Sequence, residues 1–261
     1  MNKDLLLRED VLTLINNSID LEMLFPDGFD YLYFESIDST NKYAKENCDR
    51  FDNAVITAED QYAGVGKNAS KWFAKPHRSL ITTIVLSKDI KIDRIGILPL
   101  FIGAAIHDVL KDYGIDTFIK WPNDIYLDDK KLLGILCESV IREGRVKKLI
   151  IGIGINVNQS ADELPLDGSI SLYSYTGRRF DRRKLLADIL VSVFSKINDI
   201  SYIDKYSKDT VNRYLYLKNK DIVFVADKPY SGKLLGINEK GEIVIETGDG
   251  KKAFSSGKII V

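Results

Sequence analysis

Lys120-Trp-Pro-Asn-Asp124, followed after a short gap by Lys131-Leu-Leu-Gly134, is the stretch on which the reading of this chain turns. Pro122 forbids a regular helix there and pushes Trp121 toward an extended conformation. The preceding Asp116-Thr-Phe-Ile119 reads as a strand. Asp128-Asp-Lys130 reads as a hairpin turn, and residues 132–140 as the returning strand with Lys131 at its start. Lys120, Asn123 and Asp124 then leave a sheet edge on a rigid turn, so that two lysines, an amide and a carboxylate converge on one corner. Such a set suits a nucleotide phosphate, its metal and an activated carboxyl group. A solvated, charged hairpin accounts for the same residues, and the stretch alone does not separate the two readings.

The bulk of the chain narrows the classes. Its 261 residues give room for one large domain or a large plus a small one. With 29% charged residues and a net charge of -1, it has an ordinary globular composition and no general pull toward nucleic acid or membranes. Cys48 and Cys137 are too few for a disulfide framework, and with His77 and His107 they suggest no structural zinc site. Met1-Asn-Lys-Asp-Leu5 is not a signal sequence, and no apolar run reaches membrane-spanning length. The expected setting is cytoplasmic and reducing, with no membrane association.

Residues 3–25 have the spacing of a helix. They leave no room before Tyr31 for the three helices and wing of a winged helix-turn-helix, so a DNA-binding domain is not expected. Residues 31–36 alternate like a strand, and Ser39-Thr-Asn41 opens a helix to about Asn47, with Ser39 or Thr40 as its cap. Residues 54–58 and 80–86 are compact β runs on either side of a polar loop. Residues 95–113 are apolar around much of a helical circumference and read as a helix buried against a sheet, with His107 facing outward. Residues 148–157 form an apolar strand, and helices follow over 181–200 and, shorter, over 203–215. Beyond Lys218 the texture becomes short strands at 222–225, 232–235, 242–245 and 258–261, separated by turns, which is the pattern of a small β-barrel. The expected domains are 1–217 and 218–261.

Gly64-Val-Gly66-Lys-Asn-Ala69 follows a strand, but no helix starts there, so it is not a dinucleotide fingerprint; Asn68 also stands where a P-loop needs Ser or Thr. Lys67 and its neighbours fit a loop that closes over a ligand, or a plain surface loop. Gly152 and Gly154 alternate on an apolar strand, which lets a flat ligand or another backbone lie against the sheet; a bulge or tight helix crossing would use them equally. Asn156 and Asn158 follow from the same end. Asp124 and Glu138 are too few carboxylates for a closed metal site, and magnesium held mainly by substrate phosphates is the fitting case. Cys137 reads as a small core residue and His77 as a loop residue.

In order, Ser39-Thr-Asn41, Gln61 with Gly64-x-Gly66, Trp72, Lys120-Trp-Pro-Asn-Asp124, Lys131-x-x-Gly134 with Glu138, and Gly152-Ile-Gly154-Ile-Asn156-Val-Asn158 resemble the biotin protein ligases. Ser171-Leu172 and the β-domain with Gly232 and Gly241 extend the resemblance over nearly the whole chain, in the short form without a DNA-binding domain. The resemblance implies an α+β fold: a mixed or antiparallel sheet flanked by helices, like the class II synthetases, with a small C-terminal SH3-like barrel. It implies an ATP-dependent ligase that makes biotinyl-5'-adenylate and passes biotin to a lysine of a biotin carboxyl carrier protein. MgATP and biotin are then substrates, with no tightly bound prosthetic group.

By the same resemblance Lys131 is the central lysine between the biotin carboxylate and phosphate, and Lys120 its support. Ser39, Thr40, Asn41, Gln61, Gly64, Gly66, Gly134, Gly152 and Gly154 match the biotin side. Lys67, Trp72, Asn123, Lys131 and Asn156 match the nucleotide side, and Asp124 the metal. The family's loop usually carries arginines; here Val65, Lys67, Ala69 and Ser70 stand in the variable slots, which bears on retention of the adenylate. Arg78 is a conceivable substitute guanidinium. A non-catalytic biotin sensor and a lipoate or octanoate ligase are the alternatives, and pairing of two copies into a homodimer through a sheet edge stays open.

Overall fold

The computed structural model describes residues 5–25, 28–67, 70–164, 168–197 and 199–260. Strands β1 (Asp30–Ile37), β2 (Asn53–Gln61), β3 (Ser79–Lys91), β4 (Phe118–Lys120), β5 (Asp124–Leu127), β6 (Lys130–Arg142) and β7 (Arg145–Asn156) form one sheet. Its order is β1-β2-β3-β7-β6-β5-β4, with β1 parallel to β2 and every other pairing antiparallel. The inner strands β2, β3 and β7 are buried on both faces over their middle stretches, because both faces are covered.

One face carries the main core. Helices α1 (Arg8–Asn16) and α2 (Leu21–Leu24) lie at the N-terminal end, and α4 (Leu98–Asp112) and α6 (Arg182–Phe194) pack across the sheet. Phe101, Ile102, Ile106, Leu186 and Phe194 meet Leu80, Ile84, Ile151 and Ile153 there. Each such side chain contributes about 1.5–3 kcal/mol on burial. On the opposite face the short helix α3 (Thr40–Glu46), capped by Ser39, covers only the end of the sheet near Ala54, Ile56, Val85 and Ile150. The rest of that face is left to the site.

After α5 (Leu172–Thr176) and α6, α7 (Ile200–Tyr214) leads into a second sheet of β8 (Asp221–Val225), β9 (Pro229–Ile237), β10 (Ile243–Thr247), β11 (Gly250–Phe254) and β12 (Lys258–Ile260). Its order is β11-β10-β9-β8-β12, all antiparallel. The two sheets share a core: Leu100 and Ala104 of α4, Ile119 and Trp121 pack with Phe224, Leu234 and Ile245. Trp121 Nε1 also donates to the Gly241 carbonyl at 2.9 Å.

Several expectations are corrected. The N-terminal helix is broken after Asn16 and restarts at Leu21, where the Asp20 side chain accepts from the Met23 amide; the beginning of that reading, at residues 3–4, lies outside the described residues. The helix at α7 spans 15 residues against 13 for α6, so it is not the shorter one. The second sheet has a fifth strand, β11, beyond the four expected, while Val261 lies outside the described residues. His107 does not face outward: it is 1% exposed, its Nδ1 lies 2.9 Å from Thr117 Oγ1, and its ring sits 4.0 Å from that of Tyr214. Burial there lowers its pKa.

A buried ion pair, which sequence reading had not found, joins the layers. Arg182 Nη1 and Glu59 Oε2 are 2.7 Å apart and both side chains are fully buried; the other Glu59 oxygen accepts from the Leu6 amide at 2.8 Å.

Candidate functional site

Residues opposite one another on neighbouring strands point to the same face. Across the sheet the register therefore sets Ala58, Ile81, Gly154, Gly134, Asp124 and Lys120 in one row on the face that α3 leaves uncovered. Ile56, Thr83, Gly152 and Leu136 form the next row. Two adjacent glycines with a third alongside hollow out the floor, and the result is a cavity of about 770 Å³. Ser39, Thr40, Asn41, Gln61, Gly66, Lys67, Trp72, Lys120, Asn123, Asp124, Lys131, Gly134, Gly152, Gly154 and Asn156 all line it. Gly64 does not; a Cβ there would meet Gln61 Nε2 at 2.4 Å and the Trp72 carbonyl at 2.7 Å, so it serves the close approach of those groups.

The room above the glycines is taken by the protein's own side chains. A Cβ on Gly152 would fall 2.2 Å from Asn41 Oδ1, and one on Gly154 2.4 Å from Trp72 Cε2. On Gly134 it would lie 3.3 Å from both the Lys131 side chain and Trp72 Cζ3. Trp72 thus lies against the glycine floor, with Lys131 Nζ 5.6 Å from its ring centre. Its buried Nε1 has no hydrogen-bond partner.

One end of the cavity is a closed polar network. The Thr40 amide and hydroxyl donate to Gln61 Oε1 at 2.9 and 3.2 Å. Thr83 Oγ1 lies 2.9 Å from Thr40 Oγ1 and 2.6 Å from Asn41 Oδ1. Ser39, Thr40, Asn41, Gln61 and Thr83 are all buried, and Thr40, Asn41, Gln61 and Thr83 orient one another through these bonds. Thr83 was not singled out from sequence; a threonine within a β run carries no mark beyond its strand propensity.

The other end is cationic. Lys131 Nζ lies 2.8 Å from Asp124 Oδ1, while that oxygen, though buried, has no aligned hydrogen bond. The Lys131 backbone is held on both sides, its amide by the Gly168 carbonyl at 2.7 Å and its carbonyl by the Ile170 amide at 3.0 Å. Lys120 Nζ donates to the Tyr126 hydroxyl at 2.8 Å. Asn123 Nδ2 donates to the Ile135 carbonyl at 2.8 Å and ties the β4–β5 turn to β6, and Asn156 Oδ1 accepts from Gln159 Nε2 at 2.9 Å. Lys67 is exposed at the cavity rim, and partial desolvation of its ammonium there lowers its pKa. Gly257, Lys258 and Ile259 close the cavity from the second sheet, a contribution that only tertiary structure reveals.

Other candidates fall elsewhere. Asn158 exchanges hydrogen bonds with the Phe180 backbone and is not part of the cavity wall, so the pairing of Asn156 with Asn158 at one site is not seen. Glu138 pairs with Lys45 at 2.9 Å, outside the cavity. Arg78 points to Glu163 at 4.0 Å rather than into the cavity, so it does not replace the missing arginines. Cys137 is in a setting whose burial pushes its thiol pKa up to about 12. His77, at φ 58°, sits between Glu35 and Glu59 at 3.4 and 3.3 Å. Asn68 and Ala69 of the glycine loop lie outside the described residues.

No group of three or more His, Cys, Asp or Glu that could hold a metal occurs among the described residues. Asp124 is the carboxylate of the cavity wall, and one of its oxygens is buried without a hydrogen bond. Nor is any helix among the described residues long and apolar enough to cross a membrane.

Residues 33–156 match the model of the biotin/lipoate A/B protein ligase family, and residues 220–261 that of the biotin protein ligase C-terminal domain. The chain is 32% identical over 240 residues to the bifunctional ligase/repressor BirA of Bacillus spizizenii, covering 89% of this chain and 74% of that protein. It is 24% identical over 219 residues to the biotin--[acetyl-CoA-carboxylase] ligase of Paracoccus denitrificans, covering 79% and 90%. The biotin protein ligase from Aquifex aeolicus, solved in complex with biotin and ATP, superposes with a TM-score of 0.76 at 28% identity, over 88% of this chain and 97% of that one.

Proposed function

The chain belongs to the biotin/lipoate A/B protein ligase family, and from that premise we propose that it is a biotin protein ligase. It joins biotin to ATP, releasing pyrophosphate, and transfers biotin from the adenylate to a lysine of a biotin carboxyl carrier domain. The observation that carries this reading is the polarity of one cavity: a preset amide and hydroxyl network at one end, paired lysines and a carboxylate at the other, and a glycine floor between them.

Ser39, Thr40, Asn41 and Gln61 hold the ureido head of biotin; their burial and mutual hydrogen bonds support a polar head over a plain acyl tail, and so biotin over lipoate. The valeryl chain runs along the edge of Trp72, whose indole is let close to the sheet by Gly134 and Gly154 and so walls the passage between the two ends. Its carboxylate then meets the α-phosphate near Lys131 and Lys120, where two anions must approach and cations stabilise the developing charge. Attack by a carboxylate oxygen on phosphorus expels pyrophosphate; in the second step the carrier amine attacks the acyl carbon and AMP leaves. Lys67, Asn123 and Asn156 serve the nucleotide, and Asp124 receives the magnesium that enters with ATP.

Gly64 and Gly66 give the loop its close turns. Residues 218–261 act as a second domain that closes the cavity through Lys258, a division supported by the separate sheet from Asp221 onward. A cytoplasmic location is supported by two cysteines that are both free. The test is pyrophosphate release from ATP with biotin, with lipoate and with neither: release with biotin alone, followed by labelling of a carrier domain, is expected. Release with lipoate instead would overturn the assignment.

A further inference from the structure

We infer that Tyr126 is a positioning residue for Lys120: its hydroxyl accepts from the ammonium and aims it into the cavity without supplying a carboxylate to offset its charge. The inference rests on the ligase reading of the site and adds to it a residue outside the sequence motif.

The two lysines of the cationic end are held in different ways. Lys131 faces the Asp124 carboxylate at 2.8 Å, so its charge is offset before any substrate arrives. Lys120 instead donates to a phenol oxygen at 2.8 Å, and among the described residues it has no carboxylate partner. A hydroxyl acceptor fixes the direction of an ammonium but contributes no opposing unit charge. Lys120 is therefore the standing positive charge of the pair.

The placement follows from the sheet. Tyr126 pairs directly with Phe118 on β4 and with Lys131 on β6, so it stands on the same face as Lys120 and Asp124, one row further along. Its ring centre lies 4.3 Å from Lys120 Nζ, and that of Tyr216 5.8 Å, with the two rings 5.0 Å apart. Tyr216 is anchored by its amide, which donates to the Ile119 carbonyl at 2.9 Å. Burial first, and then the Asp129 carboxylate, raise the Tyr216 pKa, so this ring brings no opposing charge to the lysine. Two aromatic faces and one hydroxyl thus confine a four-carbon side chain that would otherwise sample many rotamers.

The experiment is a cycle of Tyr126→Phe and Lys120→Met, read as kcat for biotin-dependent pyrophosphate release, with biotin affinity from calorimetry. Tyr126→Phe is expected to lower kcat about tenfold, the usual weight of a hydrogen bond to a charged group. Biotin affinity is expected to hold, because the polar end of the cavity is untouched. In the Lys120→Met background the same substitution should cost nothing further. An equal loss in both backgrounds, or no loss beside Lys120, would overturn the inference; a merely structural defect gives the first of these results. A wild-type protein with no biotin-dependent release would bring down the ligase reading and the inference with it, whereas an active wild type without coupling brings down the inference alone.

Discussion

In a Lys131→Ala variant the cavity loses an ammonium that sits 2.8 Å from Asp124 Oδ1 and keeps the carboxylate, whose oxygen has no hydrogen-bond partner. The local pair thereby passes from neutral to negative where a triphosphate must bind. Two unit charges about 4 Å apart at an effective dielectric near 20 interact by about 4 kcal/mol. The side chains of Lys131 and Asp124 are 34% and 20% exposed, so solvent screens part of that. A net loss of about 3 kcal/mol, or roughly a hundredfold in rate, is the reasonable scale.

The assay is biotin-dependent pyrophosphate release at saturating biotin and ATP, with the melting temperature as a control for the fold. The charge argument also makes a second demand: adding Asp124→Asn to Lys131→Ala should restore part of the lost rate by removing the uncompensated anion. Near-native turnover of the single variant would remove Lys131 from the mechanism. A double variant slower than the single one would refute the charge balance and point to a direct duty of Asp124 toward the metal.

Gly154→Val should weaken biotin binding in calorimetry, because its first carbon already falls 2.4 Å from the Trp72 ring and drives the indole off the floor; unchanged affinity with a lowered melting temperature would make the glycine purely structural. Arg182→Met leaves the fully buried Glu59 carboxylate without its 2.7 Å partner and should cost about 3–5 kcal/mol in urea unfolding; a loss below about 1 kcal/mol would mean that water or a rearrangement compensates. Lys67→Arg should slow escape of labelled biotinyl-adenylate in the absence of carrier, since a guanidinium can grip phosphate bidentately. Because partial desolvation lowers the Lys67 pKa, wild-type retention should weaken as pH rises through the alkaline range sooner than a fully solvated lysine would allow, and the arginine variant should stay flat. Equal release rates at every pH would remove Lys67 from retention.

The sheet was legible where burial on both faces made the signal strong. Strands β2, β3 and β7 each contain a compact apolar or β-branched stretch with no helical period, at 54–58, 80–86 and 149–155, and the β5–β6 turn announces itself through Asp128 and Asp129, both at positive φ. The misses have a common physical cause, which is that a residue's surroundings come from elsewhere in the chain. Gly250-Lys-Lys-Ala-Phe254 is an edge strand whose lysines suit an exposed edge and hide its β character. His107 looked outward because its own helix says nothing of α7, which brings Tyr214 over it.

The site divides along the same line. A glycine in a strand reports that something needs room, but not what needs it: Gly152 accommodates Asn41, and Gly154 accommodates Trp72, from segments far upstream. The short motif at 120–124 is more transparent because its residues do opposite jobs in close succession. Lys120 and Asp124 are register partners on the cavity face; between them, Trp121 turns into the shared core to reach Gly241, and Asn123 closes the turn onto Ile135. The displayed charges and the buried anchors interleave, so a change at an anchor shifts the direction of a charge beside it. That coupling ties the docking of the second sheet to the aim of Lys120, since Tyr216 borders both the lysine and the chain leading into that sheet.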